Sequence, residues 1–191
     1  MTDLPKGAPS LSPTAYVILG LVRNEPRSGY EIKAIVDHTT RFFWAASYGQ
    51  IYPELKRLSE AGLVVGADAP TGGRRRTVYE ITADGEEELL AWLRRPPTTF
   101  EMREEGFLKL FFADALPREE VPTILRAMRE HRLRAHEDLR AMEPAAAEKN
   151  DPFPLMVLRS GLEFTEWSAG WCERMEAELL ALEARSEGRE T

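Results

Sequence analysis

Cysteine occurs once, at position 172, so the chain holds neither an internal disulfide nor a thiolate zinc cluster. A buried, inert thiol is the preferred reading of Cys172. Histidine is almost as scarce. His131 and His136 stand five apart rather than the four that sets two imidazoles on one helix face, which removes the usual helical metal motif. No apolar run approaches the roughly 20 residues a spanning helix needs. The N-terminus has no basic start leading into an apolar stretch, and the expected location is the cytoplasm. No glycine-rich phosphate loop is present, no repeat at a solenoid period, and no nucleophile, base and orienting group at a motif spacing. The expectation is a chain with no catalytic residues, no metal and no cofactor.

What is present reads as a soluble globular protein: 191 residues, 43% hydrophobic and 30% charged. The net charge of −7 is unevenly placed. Residues 1–97 hold 12 basic and 12 acidic side chains, whereas 98–191 hold 13 and 20, so all the excess acidity lies in the second half. Between Arg23 and Tyr79 the balance is 9 basic to 6 acidic. A local surplus, rather than the overall isoelectric point, decides attraction to phosphate.

Residues 1–11 are polar, aperiodic and contain Pro and Gly, and read as a flexible arm. Ser12-Pro13 is a helix start, an N-cap followed by proline at the first helical position. Asn24, Pro26 and Ser28 read as a stop and a turn before a second helix at Gly29–His38. Ser47 and Gln50 have capping-box spacing for a third helix ending near Ala61, with Gly62 as a left-handed cap. Ile51, Leu55, Leu58 and Ala61 share its apolar face, and Gln50, Tyr52, Lys56 and Arg57 lie opposite. Leu63–Val65 and Thr77–Ile81 read as two short strands joined by a glycine-rich, basic loop. Thr82 then caps a fourth helix bearing Leu89, Leu90, Trp92 and Leu93, and Arg94-Arg95-Pro96-Pro97 closes it. The remainder reads as helices near 101–114, 117–142 and 152–185.

The order helix, helix, capped helix, basic hairpin, helix is the winged helix-turn-helix plan, here over residues 12–95. The fold class expected is mainly α, with a two-stranded β wing and a helical C-terminal dimerisation domain over 96–191. A capped third helix suits the major groove, and an arginine-tipped loop suits the neighbouring backbone or minor groove. Three segments then carry a definite resemblance: Leu11-Ser12-Pro13 with Tyr16–Leu21 and Ser28-Gly29-Tyr30-Glu31-Ile32; Gly49-Gln50-Ile51-Tyr52-Pro53 with Leu55, Leu58 and Gly62–Val64; and Gly73–Arg76 with Tyr79 and Thr82–Gly85. As a set they resemble the PadR family of regulators over about residues 11–95. Phe107–Phe112 and the long helices behind it resemble, more weakly, the C-terminal domain of the longer members. The resemblance implies a dimeric repressor of transcription on near-palindromic double-stranded DNA, released by a small, often aromatic effector. Carried over by position, it implies DNA contacts from Ser47, Gln50, Tyr52 and Lys56 on the recognition helix and from Arg74, Arg75 and Arg76 on the wing. Trp92 falls on the helix that carries an aromatic drug contact in short members of the family.

The last helix has two apolar faces, one with Phe153, Val157, Phe164, Trp171 and Met175, the other with Leu155, Leu158, Leu162, Ala169 and Leu180. A helix apolar on two sides must be covered twice, once by its own subunit and once by a partner. Leu155, Leu158, Leu162 and Ala169 are assigned to the seam between copies. Leu125 and Met128 join them from a near-heptad row on the preceding helix that Arg132 interrupts. Phe164, Trp167 and Trp171, with Trp92, are the aromatic candidates for an effector site, although a packed core or seam accounts for the first three without a ligand. Tyr16, Tyr30 and Tyr79 are expected in the core. The competing class is a helical adaptor that uses a winged helix for protein contact, which the modest basic surplus leaves open.

Overall fold

The computed structural model describes residues 11–40, 44, 47–71, 74–97, 104–149 and 151–187, the side chains of 69–71, 74–75 and 183–187 excepted. The proposed arm over 1–11 and the loop tip Gly72-Gly73 therefore lie outside the described residues, apart from Leu11. The chain divides into two compact units, 1–99 and 100–191.

In the first unit each helix starts where a small polar side chain satisfies the free N–H groups of the first turn. Ser12 Oγ accepts from the Ala15 N–H at 3.1 Å and opens α1 (Pro13–Val22). Ser28 and Glu31 form a reciprocal capping box on α2 (Gly29–His38). α3 (Tyr48–Glu60) begins at Ser47, whose backbone N–H donates to Gln50 Oε1 at 2.9 Å. It ends in a Schellman motif: the Leu63 N–H reaches Leu58 O at 2.9 Å and the Gly62 N–H reaches Ser59 O at 3.1 Å. Gly62 has φ +73°, a conformation that glycine adopts without penalty. Thr82 then locks the next helix, α4 (Ala83–Arg94), to that end by donating to Gly62 O at 2.7 Å while accepting from the Gly85 N–H at 3.1 Å. A Cβ on Gly85 would stand 2.1 Å from Leu63 O, so no other residue fits this contact.

The region between α1 and α2, expected as a turn, contains a short strand, β1 (Arg27–Ser28). It pairs antiparallel with β3 (Arg74–Ile81), which pairs in turn with β2 (Val64–Thr71), giving the order β1-β3-β2. Two ladder positions, Arg27 to Tyr79 and Ser28 to Val78, carry no period for a sequence pattern to reveal. The β2–β3 hairpin is longer than expected, running in register from Val64 opposite Ile81 to Thr71 opposite Arg74. One core joins all these elements through Ile18, Leu19, Ile32, Ile51, Leu55 and Leu58, each inaccessible to solvent. Burying each stabilises by about 1.5–3 kcal/mol before entropy is counted. Tyr16 belongs to this core and Tyr79 packs against it. Tyr30 does not: it is 67% exposed, because Ile32 and Val36 take the inner face of α2.

The second unit is an antiparallel pair of long helices, α6 (Val121–Ala147) and α7 (Pro152–Glu187), with the short α5 (Glu105–Phe111) beside α6. The stretch after Pro117, expected to start a helix at once, first forms a 3₁₀ turn at Arg118–Glu120. Arg126 to Glu176 at 2.5 Å, Arg129 to Glu173 at 3.5 Å and Arg159 to Glu143 at 3.2 Å fix the register of the pair. His136 Nδ1 lies 3.0 Å from Thr165 Oγ1, which gives that imidazole a structural partner. Cys172 is buried with Leu125 and Met128, and burial pushes its thiol pKa upward. Arg132 breaks the apolar row of α6 because it pairs with Glu104, the N-cap of α5, and lies 5.6 Å from the Phe164 ring centroid. No helix among the described residues is long and apolar enough to cross a membrane.

Candidate nucleic-acid interface

α3 buries Ile51, Leu55 and Leu58 and turns Tyr48, Gln50, Tyr52, Lys56 and Arg57 to solvent. Side chains one turn apart meet on this face, as helix geometry requires. The rings of Tyr48 and Tyr52 stack with centroids 6.1 Å apart and planes 18° from parallel. Lys33 Nζ from α2 sits 5.4 Å from the centre of the Tyr48 ring. Lys56 is 78% exposed, with Glu60 at 3.7 Å, and Arg57 is 73% exposed, held at 3.3 Å by the buried Glu54. The face therefore offers aromatic hydroxyls and two outward cations.

Tyr52 and Lys56 lie on this face as expected from the sequence. Ser47 and Gln50 lie at its N-terminal end but are engaged locally: Gln50 Oε1 accepts from both the Ser47 N–H at 2.9 Å and Ser47 Oγ at 3.2 Å. That leaves the Gln50 amide nitrogen as its free donor group. Sequence reasoning missed Tyr48 and Lys33 as members of the same surface. The four-residue step from Tyr48 to Tyr52 was the available signal for the first; nothing local marks the second.

Tyr52 also explains Gly29, since a Cβ there would meet the Tyr52 ring at 2.7 Å and Leu55 Cδ1 at 3.2 Å. The close approach of α2 to α3 thus leaves no room for a Cβ at position 29 unless the Tyr52 ring shifts.

On the wing, Arg74 and Arg75 occupy the first two positions of β3, and their side chains lie outside the described residues. Arg76 is not a free cation. It forms an ion pair with Glu31 of the α2 capping box, and its Nε is enclosed without a hydrogen-bond partner. The guanidinium, with the Ser28 N–H, holds the Glu31 carboxyl well below the usual carboxylate range, at about 2.

The aromatic candidates separate. Trp92 stacks face to face on Tyr16, centroids 4.4 Å apart and planes 8° from parallel, so one face of its indole is already occupied. The Tyr16 hydroxyl donates to Glu88 at 2.9 Å, and its pKa is raised by burial and by that carboxylate. Trp171 packs edge-on against Phe107 at 5.3 Å in the core of the second unit, whereas Phe164 and Trp167 lie outside that core, 40% and 57% exposed. An open cleft in this unit, about 550 Å³, is lined by Leu110, Leu116, Arg118, Val121, Leu179 and Leu182; of the aromatic candidates in the unit, Trp171 lines a smaller cleft of about 230 Å³ that shares Leu110, Leu179 and Leu182 with it, and Phe164 and Trp167 line neither.

Four of the six residues assigned to the seam are already buried within a single chain. Leu125, Met128, Leu158 and Ala169 are between 1% and 8% exposed without any partner, so they are the internal core of the second unit. Leu155 and Leu162 are half-buried. The helix face left open carries Phe153, Met156, Val157, Phe164 and Trp167.

Among the described residues no group of three or more His, Cys, Asp or Glu could hold a metal ion. Comparison with known proteins gives two family matches: the transcriptional regulator PadR-like family over residues 18–91 and the virulence activator alpha C-terminal family over 102–179. The negative transcriptional regulator PadR of Bacillus subtilis is 30% identical over 168 residues, 83% of this chain and 92% of that protein. Its crystal structure in complex with operator DNA superposes with a TM-score of 0.77 and 30% identity, covering 86% of this chain and 98% of that one. Its complex with p-coumaric acid superposes with a TM-score of 0.68 and 28% identity, covering 88% and 97%.

Proposed function

This chain belongs to the PadR-like family of transcriptional regulators, and from that premise we propose that it is a dimeric, sequence-specific repressor acting in the cytoplasm on double-stranded DNA, with no enzymatic activity. The observation that carries the reading is the exposed face of α3, where Tyr48, Tyr52, Lys56 and Arg57 stand clear of the core on a helix whose start is fixed by Ser47 and Gln50. A helix held in this way can lie in the major groove with its first turns toward base edges. Hydroxyl and amide groups there discriminate bases, while Lys56 and the wing residues Arg74 and Arg75 neutralise phosphate. Binding of operator DNA by the Bacillus subtilis relative supports this assignment over the adaptor reading. Its complex with p-coumaric acid supports a phenolic acid or related aromatic as the releasing ligand.

The test is fluorescence anisotropy of the full chain on duplexes tiled across the DNA upstream of its own coding region, with scrambled duplex as competitor. A shift that saturates at two chains per duplex and resists the scrambled competitor is expected, weakening as p-coumaric acid is added. Equal affinity for operator and scrambled duplex overturns the reading. Replacing Lys56 by Ala in both copies should weaken binding and lower the slope of log affinity against log salt by about 1.8, two phosphates' worth.

A further inference from the structure

Glu31 uses its two carboxylate oxygens for different purposes. Oε2 accepts from the Ser28 N–H at 2.9 Å and from Ser28 Oγ at 3.0 Å, closing the capping box at the start of α2. Oε1 takes the guanidinium of Arg76 on the wing strand β3. Ser28 is also one of the two residues of β1, paired with Val78, two positions along β3 from Arg76 and on the same face of the sheet. A closed circuit results: Glu31 holds Ser28, Ser28 is laddered to Val78, and Arg76 returns to Glu31. β1 contributes only two ladder positions to the wing's root, so this carboxylate is an additional tie between the hairpin and α2, and α2 packs on α3.

From this geometry we infer that Glu31 and Arg76 form a strut that sets the wing's position relative to α3, and that Arg76 serves DNA binding by holding the hairpin rather than by touching phosphate. A cation matched to a carboxylate at one terminal nitrogen, with its Nε enclosed, has much of its donor fork committed before DNA arrives, although its side chain stays 41% exposed. A strut instead fixes beforehand the order that binding would otherwise have to impose. The inference rests on the DNA-binding reading above, but it has a readout that needs no DNA.

Glu31→Gln separates the two duties of the residue, because glutamine at this position keeps a capping box and loses the ion pair. Anisotropy on operator duplex should show Glu31→Gln, Arg76→Gln and the double variant each weaker by about three- to fivefold, the scale of a part-exposed pair. The double variant should be no worse than either single, and all should keep the native salt slope. In the free protein, amide exchange at Arg76 and Val78 should accelerate in Glu31→Gln while the first turn of α2 stays protected. The opposite pattern overturns the strut: Glu31→Gln binding as tightly as native or more so, with Arg76→Gln alone lowering the salt slope by about 1.8, two phosphates per dimer. Unchanged exchange on β3 also overturns it. Failure of the native chain to prefer its operator would defeat the DNA-binding reading and leave the exchange result to judge the strut.

Discussion

Gly29 and Glu31 are two positions apart, and neither belongs to the α3 surface proposed above to meet DNA, yet each contacts the elements that shape it. Gly29 leaves room for the Tyr52 ring, 2.7 Å from where a Cβ would stand. Tyr52 is 49% exposed, so its ring can swing outward to relieve the clash. Gly29→Ala should therefore cost about 1 kcal/mol of stability, the low end for overpacking, and proportionately more operator affinity as the Tyr48 and Tyr52 stack is displaced. Thermal melting and anisotropy on the same sample separate the two losses; a drop in melting temperature with unchanged affinity would remove Tyr52 from the interface. Glu31 makes a different prediction, in pH. Its carboxyl is held at about 2 by Arg76 and Ser28, below its ordinary value of 4.5. A depressed carboxylate stabilises the folded state fully above its unfolded pKa, and that contribution is lost as pH falls from near 4.5 through about 2. Urea midpoints measured down this range should fall less steeply for Glu31→Gln than for the native chain. Parallel curves would mean that Glu31 titrates as a solvated carboxyl.

At the scale of elements, α3 needs Gln50 for its own start, and this complicates any role for Gln50 at the DNA. Gln50→Glu retains an acceptor for the Ser47 N–H and suits the positive end of the helix, so stability should be unchanged. It replaces the free amide donor with a carboxylate oxygen, so operator affinity should fall about tenfold, within the range of one discriminating base contact. Gln50→Ala loses the cap and should lower stability by about 1 kcal/mol. If Gln50→Glu binds like the native chain, the residue is a cap alone. Caps of this kind are why α1, α3 and α4 were legible in the sequence: Ser12, Ser47 and Thr82 act within three residues of themselves, whereas Ser28, which caps α2 in the same way, read only as part of a turn. What was not legible depends on distant partners. β1 exists because β3 is there to pair with it. Arg76 read as a free wing cation because its partner Glu31 is 45 positions earlier in the chain. Lys33 joined the surface through Tyr48 of another helix.

For the whole molecule, the uneven charge has a physical division behind it. The unit carrying α3 and the wing is electrically balanced, and the helical unit holds the entire −7. On the function proposed above, attraction to DNA then comes from Lys56 with Arg74 and Arg75, and a second copy of the first unit would double it. The helical unit offers the means. Two apolar faces on α7 were apparent from its period, but which one stays open was not, since that depends on where α6 packs. Leu158 and Ala169 go inward, and Phe153, Val157, Phe164 and Trp167 remain 40–71% exposed. Their steps of three and four residues, with Ser160 between, continue a heptad row of the kind that pairs helices. An apolar stripe of this length on a charged protein marks a contact surface. Phe164→Glu with Trp167→Glu should leave the internal core of the unit intact and yield a 21.7 kDa monomer in sedimentation equilibrium, with native helical circular dichroism. Because the two half-sites would no longer be engaged together, operator affinity should fall by about a hundredfold. Leu125→Ala is the control: it opens a cavity inside one chain and should cost about 2–5 kcal/mol in melting experiments, whatever the state of association. A Phe164→Glu, Trp167→Glu chain that still sediments as a dimer and binds operator at native strength would place the contact between copies elsewhere on the molecule.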